Sequence, residues 1–255
     1  MERVGRNVLQ FVTKEPSILV NIAAAVLDGR KRTFSKDCKH LSKKFELPVI
    51  LGQENIPQDH NPVIIACNHP GVYELVVGVV QITHIFSRSR EEHRLPGDIS
   101  WMAAKNLLSR VPRQVFQSEI LYPVVNRVLK SIHNSYDFIP VPINYLDPEK
   151  LRRERAIALI AARKYLREAH HRTVGVFPEG NFGRDGKLLE FYGGIGMLCK
   201  SAGREVTVLP TGIYRDEKGK LTIEFSEPLK VSPTDSARNS TRRIREAVGN
   251  VCKSD

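Results

Sequence analysis

The chain has 255 residues, of which 26% are charged and 41% hydrophobic, with 17 glycines and 15 prolines. That composition excludes a disordered, collagenous or coiled-coil protein and suits one domain with a sizeable core and an appended helical segment. Thirty-nine Lys and Arg against 28 Asp and Glu give a formal charge of +11, which favours polyanionic partners: nucleic acid, anionic headgroups, phosphate-bearing substrates or an acidic protein. The four cysteines at 38, 67, 199 and 252 form no CxxC pair, so neither a disulfide scaffold nor a zinc ribbon is expected, and a reducing compartment is the simpler setting.

Residues 1–45 differ from the rest. Val4, Val8, Leu9, Phe11 and Val12 follow helical spacing, and Ile18, Leu19, Val20, Ile22, Val26 and Leu27 form a second apolar stripe after Pro16. The charge-free stretch from Pro16 to Leu27 is well short of the ~20 apolar residues that cross a bilayer. Arg30, Lys31, Arg32, Lys36, Lys39, Lys43 and Lys44 follow it. Short apolar helices beside such a cluster suit the membrane interface, or equally a helical cap with a solvated basic face.

From residue 46 onward, apolar runs alternate with helical patterns. Strands are expected at Val63–Cys67, Ile139–Ile143, Thr173–Phe177, Val206–Ile213 and Leu221–Phe225. Helices are expected at 72–86, from Asp147-Pro148 through His170, at Gly193–Ser201 and at Asp235–Cys252. The pattern predicts an α/β fold, a mixed sheet flanked by helices. Sites in open α/β sheets gather past the strand ends, and two such ends carry chemistry.

The first is Asn68-His69-Pro70-Gly71-Val72-Tyr73-Glu74. Glu74 lies one turn into a helix. From there a carboxylate is able to accept from His69 Nδ1, fix the tautomer and leave Nε2 to remove a proton. The same pair is also compatible with a plain strand-end histidine and a local polar partner. No GxSxG nucleophile occurs, so the direct mechanism has His69 activate a substrate hydroxyl. No third ligand has metal-binding spacing. The second end runs from Phe177 through Lys187, where Gly180, Gly183 and Gly186 allow sharp turns and close approach to a ligand. Glu179 suits a substrate hydroxyl, and Arg184 and Lys187 suit phosphate; a bare surface turn has the same composition.

Together, Asn68-His69 with a carboxylate at 74 and Phe177-Pro178-Glu179-Gly180 about 110 residues later resemble the glycerolipid acyltransferase family. This is the PlsC-like superfamily of glycerol-3-phosphate and 1-acylglycerol-3-phosphate acyltransferases, with NHX4D and FPEG blocks. Asn55-Ile56-Pro57, Trp101 to Lys105 and Val208 to Ile213 look like further family features, so the resemblance runs from about residue 48 to 230. It implies an N-terminal amphipathic, membrane-associating helical segment over 1–45 and an acyltransferase α/β domain over 46–255. The implied reaction moves a fatty acyl group from an acyl thioester, acyl-CoA or acyl carrier protein, to a lipid hydroxyl. His69 would be the general base and Glu74 would take the place of the family's orienting Asp. Asn68, Lys105, Glu179, Gly180, Asn181 and Arg184 would contact substrate. No metal or redox cofactor is implied. The implied location is peripheral, on the cytoplasmic face of an anionic membrane.

The chain departs from the family pattern at Glu74, which is one methylene longer than Asp, and at Asn181-Phe182-Gly183, where the family commonly has Thr-Arg-Ser. Val141 to Tyr145 also lacks the arginine common at that strand end. Each charge-assisted phosphate contact is worth roughly 1.5–3 kcal/mol. Losing two points to an acceptor other than glycerol-3-phosphate or lysophosphatidic acid: a lysophospholipid, a glycolipid or another amphipathic alcohol or amine. An acyl-thioesterase, with His69 activating water, and a non-catalytic lipid-binding relative are the alternatives. A nucleic-acid partner is not expected, because aromatics are 7% and no recognition motif is present.

Overall fold

The structure, a computed structural model, describes residues 28–104, 131, 133–142, 147–168, 173–180 and 188–252. The helical segments expected before residue 28 lie outside the described residues, as do Lys105, Asn181 and Arg184. The chain divides into two compact units, one of residues 1–33 with 103–158 and the other of 34–102 with 159–255. This differs from the expected boundary at residue 45. Helix α1, Phe34–Leu41, belongs to the second unit, and the carbonyl of Ser42 just after it accepts from buried Gln81 Nε2 at 2.9 Å.

In the second unit a mixed sheet has the order β1-β7-β6-β2-β5-β3, with β8 also on β6. The strands are β1 (Val49–Leu51), β2 (Val63–Cys67), β3 (Ile99–Ala104), β5 (Thr173–Val176), β6 (Val206–Arg215), β7 (Leu221–Phe225) and β8 (Leu229–Val231). Strands β2, β5, β3 and the flanking β6 run parallel, whereas β7 and β8 run antiparallel to β6. Every residue of β2 and β5 is buried, the continuous apolar run that a central parallel strand needs when both faces are covered.

Two glycine-sized contacts show which helices cover which face. A Cβ on Gly78 of α2 (Val72–Glu92) would meet Ile213 at 2.6 Å, and one on Gly212 would meet the Val251 carbonyl at 2.9 Å. Gly212 and Ile213 are consecutive in β6 and so point to opposite faces. Helix α2 therefore covers one face and α5 (Ala237–Val251) the other. Helix α4 (Gly194–Ser201) packs close on α5, since a Cβ on Gly196 would sit 1.9 Å from the Ala237 carbonyl. Ser236 caps α5 by accepting from Asn239 N.

In the first unit, strand β4 (Ile139–Val141) follows a short segment tied to the chain near residue 31. Lys31 Nζ pairs with Asp137 and donates to the Asn134 carbonyl at 2.7 Å, and Arg32 N donates to Ser135 O at 2.8 Å. Helix α3, Pro148–Glu168, whose residues to 158 belong to this unit and the rest to the second, opens on Asp147, whose Oδ1 accepts from Glu149 N at 2.9 Å.

Strands β1, β3 and β8 were not legible as strands, being short or lacking clean alternation. Helix α2 runs six residues beyond its expected end, carried by buried Ser87, Ser89 and Arg90. Arg90 is fully buried because Pro57, Asp59 and Pro96 offer it backbone carbonyls. All four cysteines are free and buried.

Candidate active site

Parallel strands β2 and β5 are hydrogen-bonded neighbours, so both of their C-terminal ends emerge at one edge of the sheet. That brings Asn68-His69 beside the Phe177–Gly180 turn, across 110 residues of sequence. Asn68 extends the ladder with its side chain. Its Oδ1 accepts from Ile213 N at 2.7 Å and its Nδ2 donates to Ile213 O at 2.9 Å. The amide thus acts as one more residue of β2 paired with β6, and it directs the chain into His69.

Phe177 to Gly180 is a tight turn closed by Gly180 N donating to Phe177 O at 3.0 Å. Gly180 has φ +60°, in the left-handed region, and Tyr192 lies against it so closely that a Cβ would sit 2.8 Å from the ring. Glu179 points inward and is only 2% exposed. One carboxylate oxygen accepts from the backbone N–H of His69 at 2.6 Å and the other from Leu189 N at 2.7 Å. Arg245 of α5 holds the 189–190 segment in turn, through the Leu189 carbonyl and Glu190. Burial pushes the Glu179 carboxyl up, while the Leu189 and His69 N–H groups and the nearby Arg245 charge pull it down; the net is upward. The resemblance assigns Glu179 to acceptor binding. In the structure its carboxylate instead braces the loop that carries His69. Gly180, exposed at the tip of the turn, is the member of that block open to a ligand.

His69 is partly exposed and backed by an aromatic wall. Its ring lies 5.3 Å from that of Phe177, which stacks on Trp101 at 5.4 Å and 19°. Trp101 lies flat over β5 because residue 175 is glycine; a Cβ there would come within 2.3 Å of the indole. Trp101 Nε1 donates to Thr83 Oγ1 of α2 at 2.9 Å, which gives the buried N–H a partner.

His69 Nδ1 lies 3.4 Å from the Pro70 carbonyl, and Glu74 Oε1 accepts from Arg215 Nε at 3.0 Å. The expected carboxylate for Nδ1 is thus engaged by an arginine at the end of β6. Glu74 Oε2 folds back toward the loop, 2.5 Å from where a Cβ on Gly71 would be. Arg215 also donates to both oxygens of Glu46 at 3.3 Å and to the Gly219 carbonyl at 2.7 Å. Burial opposes its charge, but the bonds to Glu46 and Glu74 outweigh that and raise its pKa. No local signal in the sequence points to Arg215, because its carboxylate partners lie 141 and 169 residues away.

The residues brought together are Asn68, His69, Glu74, Glu179 and Gly180, with Phe177, Trp101 and Arg215 added by the fold. Among the described residues, no helix is long and apolar enough to cross a membrane. The arrangement provides a half-exposed imidazole on a backbone clamped by a buried carboxylate, with an apolar wall behind it. Such a base is suited to taking a proton from a hydroxyl brought to its open side.

Comparison with known proteins identifies the family and the fold. The family model described as Acyltransferase matches residues 48–214, a span that includes both loaded strand ends. Among curated proteins, none matches the sequence. The crystal structure of the 1-acyl-sn-glycerophosphate (LPA) acyltransferase PlsC from Thermotoga maritima is similar in fold, with a TM-score of 0.57 at 20% identity over 99% of this chain and 97% of that one. A family match over well more than half of the chain, on a PlsC-like α/β fold, establishes that this protein belongs to the Acyltransferase family.

Proposed function

We propose that the protein transfers a fatty acyl group from an acyl thioester, acyl-CoA or acylated carrier protein, to a hydroxyl of a glycerolipid or related lipid, with His69 as general base. The observation that carries this reading is the clamp of His69 by Glu179, which presents a partly exposed imidazole at a strand end. In the proposed step His69 Nε2 accepts the hydroxyl proton as the oxygen attacks the thioester carbonyl carbon. The tetrahedral intermediate collapses with cleavage of the C–S bond, and the departing thiolate takes the proton back from the imidazolium. Atoms and charges balance without a metal or redox partner. Glu74 stabilises the transient imidazolium, and Gly180, Asn181 and Arg184 are the proposed acceptor contacts. The +11 charge suits a peripheral position on an anionic, cytoplasmic-face membrane and a CoA or acidic carrier-protein donor.

The test is thiol release from palmitoyl-CoA by the full chain with anionic vesicles and a panel of lysophospholipid, glycolipid and amphipathic amine acceptors. Acceptor-dependent release that falls at least a thousandfold in His69→Ala, with an unchanged circular dichroism spectrum, is the expected outcome. Acceptor-independent release would assign a thioesterase instead, and activity retained in His69→Ala would end the assignment of the base.

A further inference from the structure

We propose that Arg215, the last residue of β6, is a positioning residue that seats the Glu74 carboxylate for the acyl-transfer site. The inference rests on the role of His69 proposed above and names a part of that site which neither the family motifs nor the sequence spacing contains.

Glutamate at position 74 poses a steric problem. Its carboxylate stands about 1.5 Å further from the backbone than an aspartate's, one carbon–carbon bond, and has an additional rotatable bond. An untethered glutamate in the first turn of α2 is free to swing into solvent. Here it does not. One oxygen is drawn to Arg215 Nε at 3.0 Å, and the other is turned back over Gly71, two residues from His69. Gly71 leaves room for this, because a Cβ would press on Oε2 at 2.5 Å. The α2 N-terminus adds a favourable field for the carboxylate.

Arg215 is itself held from several sides. Its Nη1 and Nη2 meet the two oxygens of Glu46, its Nη1 also donates to Gly219 O, and its guanidinium carbon lies 6.0 Å above the Tyr73 ring. Four donor contacts on one guanidinium leave little freedom. Two carboxylates more than balance its single charge. It therefore makes a poor hook for an acceptor phosphate and a good fixed strut. Glu46 lies ahead of β1 and Gly219 in the β6–β7 turn, so the strut ties these two parts of the second unit to the Glu74 carboxylate of α2, beside the His69 loop.

A double-mutant cycle tests this on the full chain, using palmitoyl-CoA and whichever acceptor supports wild-type turnover, with R215M, R215K, E74D and R215M/E74D. In the Glu74 background R215M should lower kcat at least tenfold and leave acceptor KM within twofold. R215K should recover part of that loss by restoring a single charge-assisted bond. In the E74D background, where the shorter carboxylate needs no tether, the same R215M change should alter kcat less than twofold. Melting temperatures accompany each variant, so that loss of fold is separated from loss of turnover. Equal losses in both backgrounds, an effect confined to KM, or no recovery in R215K in an equally stable protein would each overturn the proposal. A wild-type chain that releases no thiol with any acceptor would instead overturn the reading on which it rests.

Discussion

Glu179 carries out two tasks that its place in a glycine-rich turn does not announce. It is 2% exposed, yet both oxygens are satisfied by backbone N–H groups, which is why a buried carboxylate is tolerated there. Glu179→Gln has one acceptor oxygen where two N–H groups need one each, and its amide N–H₂ faces the remaining donor. An unsatisfied buried N–H costs about 1–3 kcal/mol. We therefore expect kcat to fall ten- to a hundredfold with acceptor KM changed less than threefold, as read by steady-state kinetics. A rise in KM at constant kcat would return Glu179 to acceptor binding. His69 and Glu179 were both legible from residue type and position at strand ends. Arg215 was not, because a long-range ion pair leaves no trace in local spacing.

Among the elements, β5 shows how a small residue sets the architecture of the site. Gly175 allows Trp101 of β3 to lie across the strand and stack on Phe177, which in turn touches the His69 ring. Gly175→Ala would push a methyl group into the indole, and overpacking of this kind costs typically 1–3 kcal/mol. The variant should melt at a lower temperature. Trp101 is the sole tryptophan, so its emission reports the displaced ring directly. An unchanged spectrum and melting point would show that the stack does not depend on Gly175. The buried strands β2 and β5 and the largely buried β6 were readable from their apolar runs. Strands β1, β3 and β8 owe their extended form to their partners β7, β5 and β6, and three-residue segments such as β1 and β8 contain too little pattern to reveal this.

For the molecule as a whole, the buried thiols link stability to pH. Burial pushes Cys199 up to about 12, and burial with the Glu179 and Glu224 charges pushes Cys252 up to about 12, from an ordinary value of 9.0. The folded protein therefore keeps these protons at pH values where the unfolded chain has released them. Their contribution to stability is complete below about pH 9 and declines as pH rises from there to about 12, by on the order of 1 kcal/mol per pH unit for each thiol. Urea denaturation at pH 8 and pH 10.5 should show the loss, and a Cys199→Ala/Cys252→Ala double variant should show a flatter alkaline limb. An identical slope in the double variant would place the alkaline sensitivity elsewhere, with Tyr214, whose phenol burial and its bond to Glu224 also raise, as the next group to examine.

Apolar runs, helical periodicity and two glycine-bearing strand ends by themselves determined the α/β class, the central strands and the histidine block with its partner turn. These are local properties, written in the order of residue types along a few turns or strands. Only the tertiary structure decided that Glu179 faces inward to clamp the His69 backbone, that Asn68 continues a strand with its side chain, and that Glu74 is seated by Arg215. Each of those depends on which strands become neighbours and on which polar groups meet at their ends. Hydrogen bonds spanning 110 to 145 residues form for that reason, and sequence proximity has no part in it.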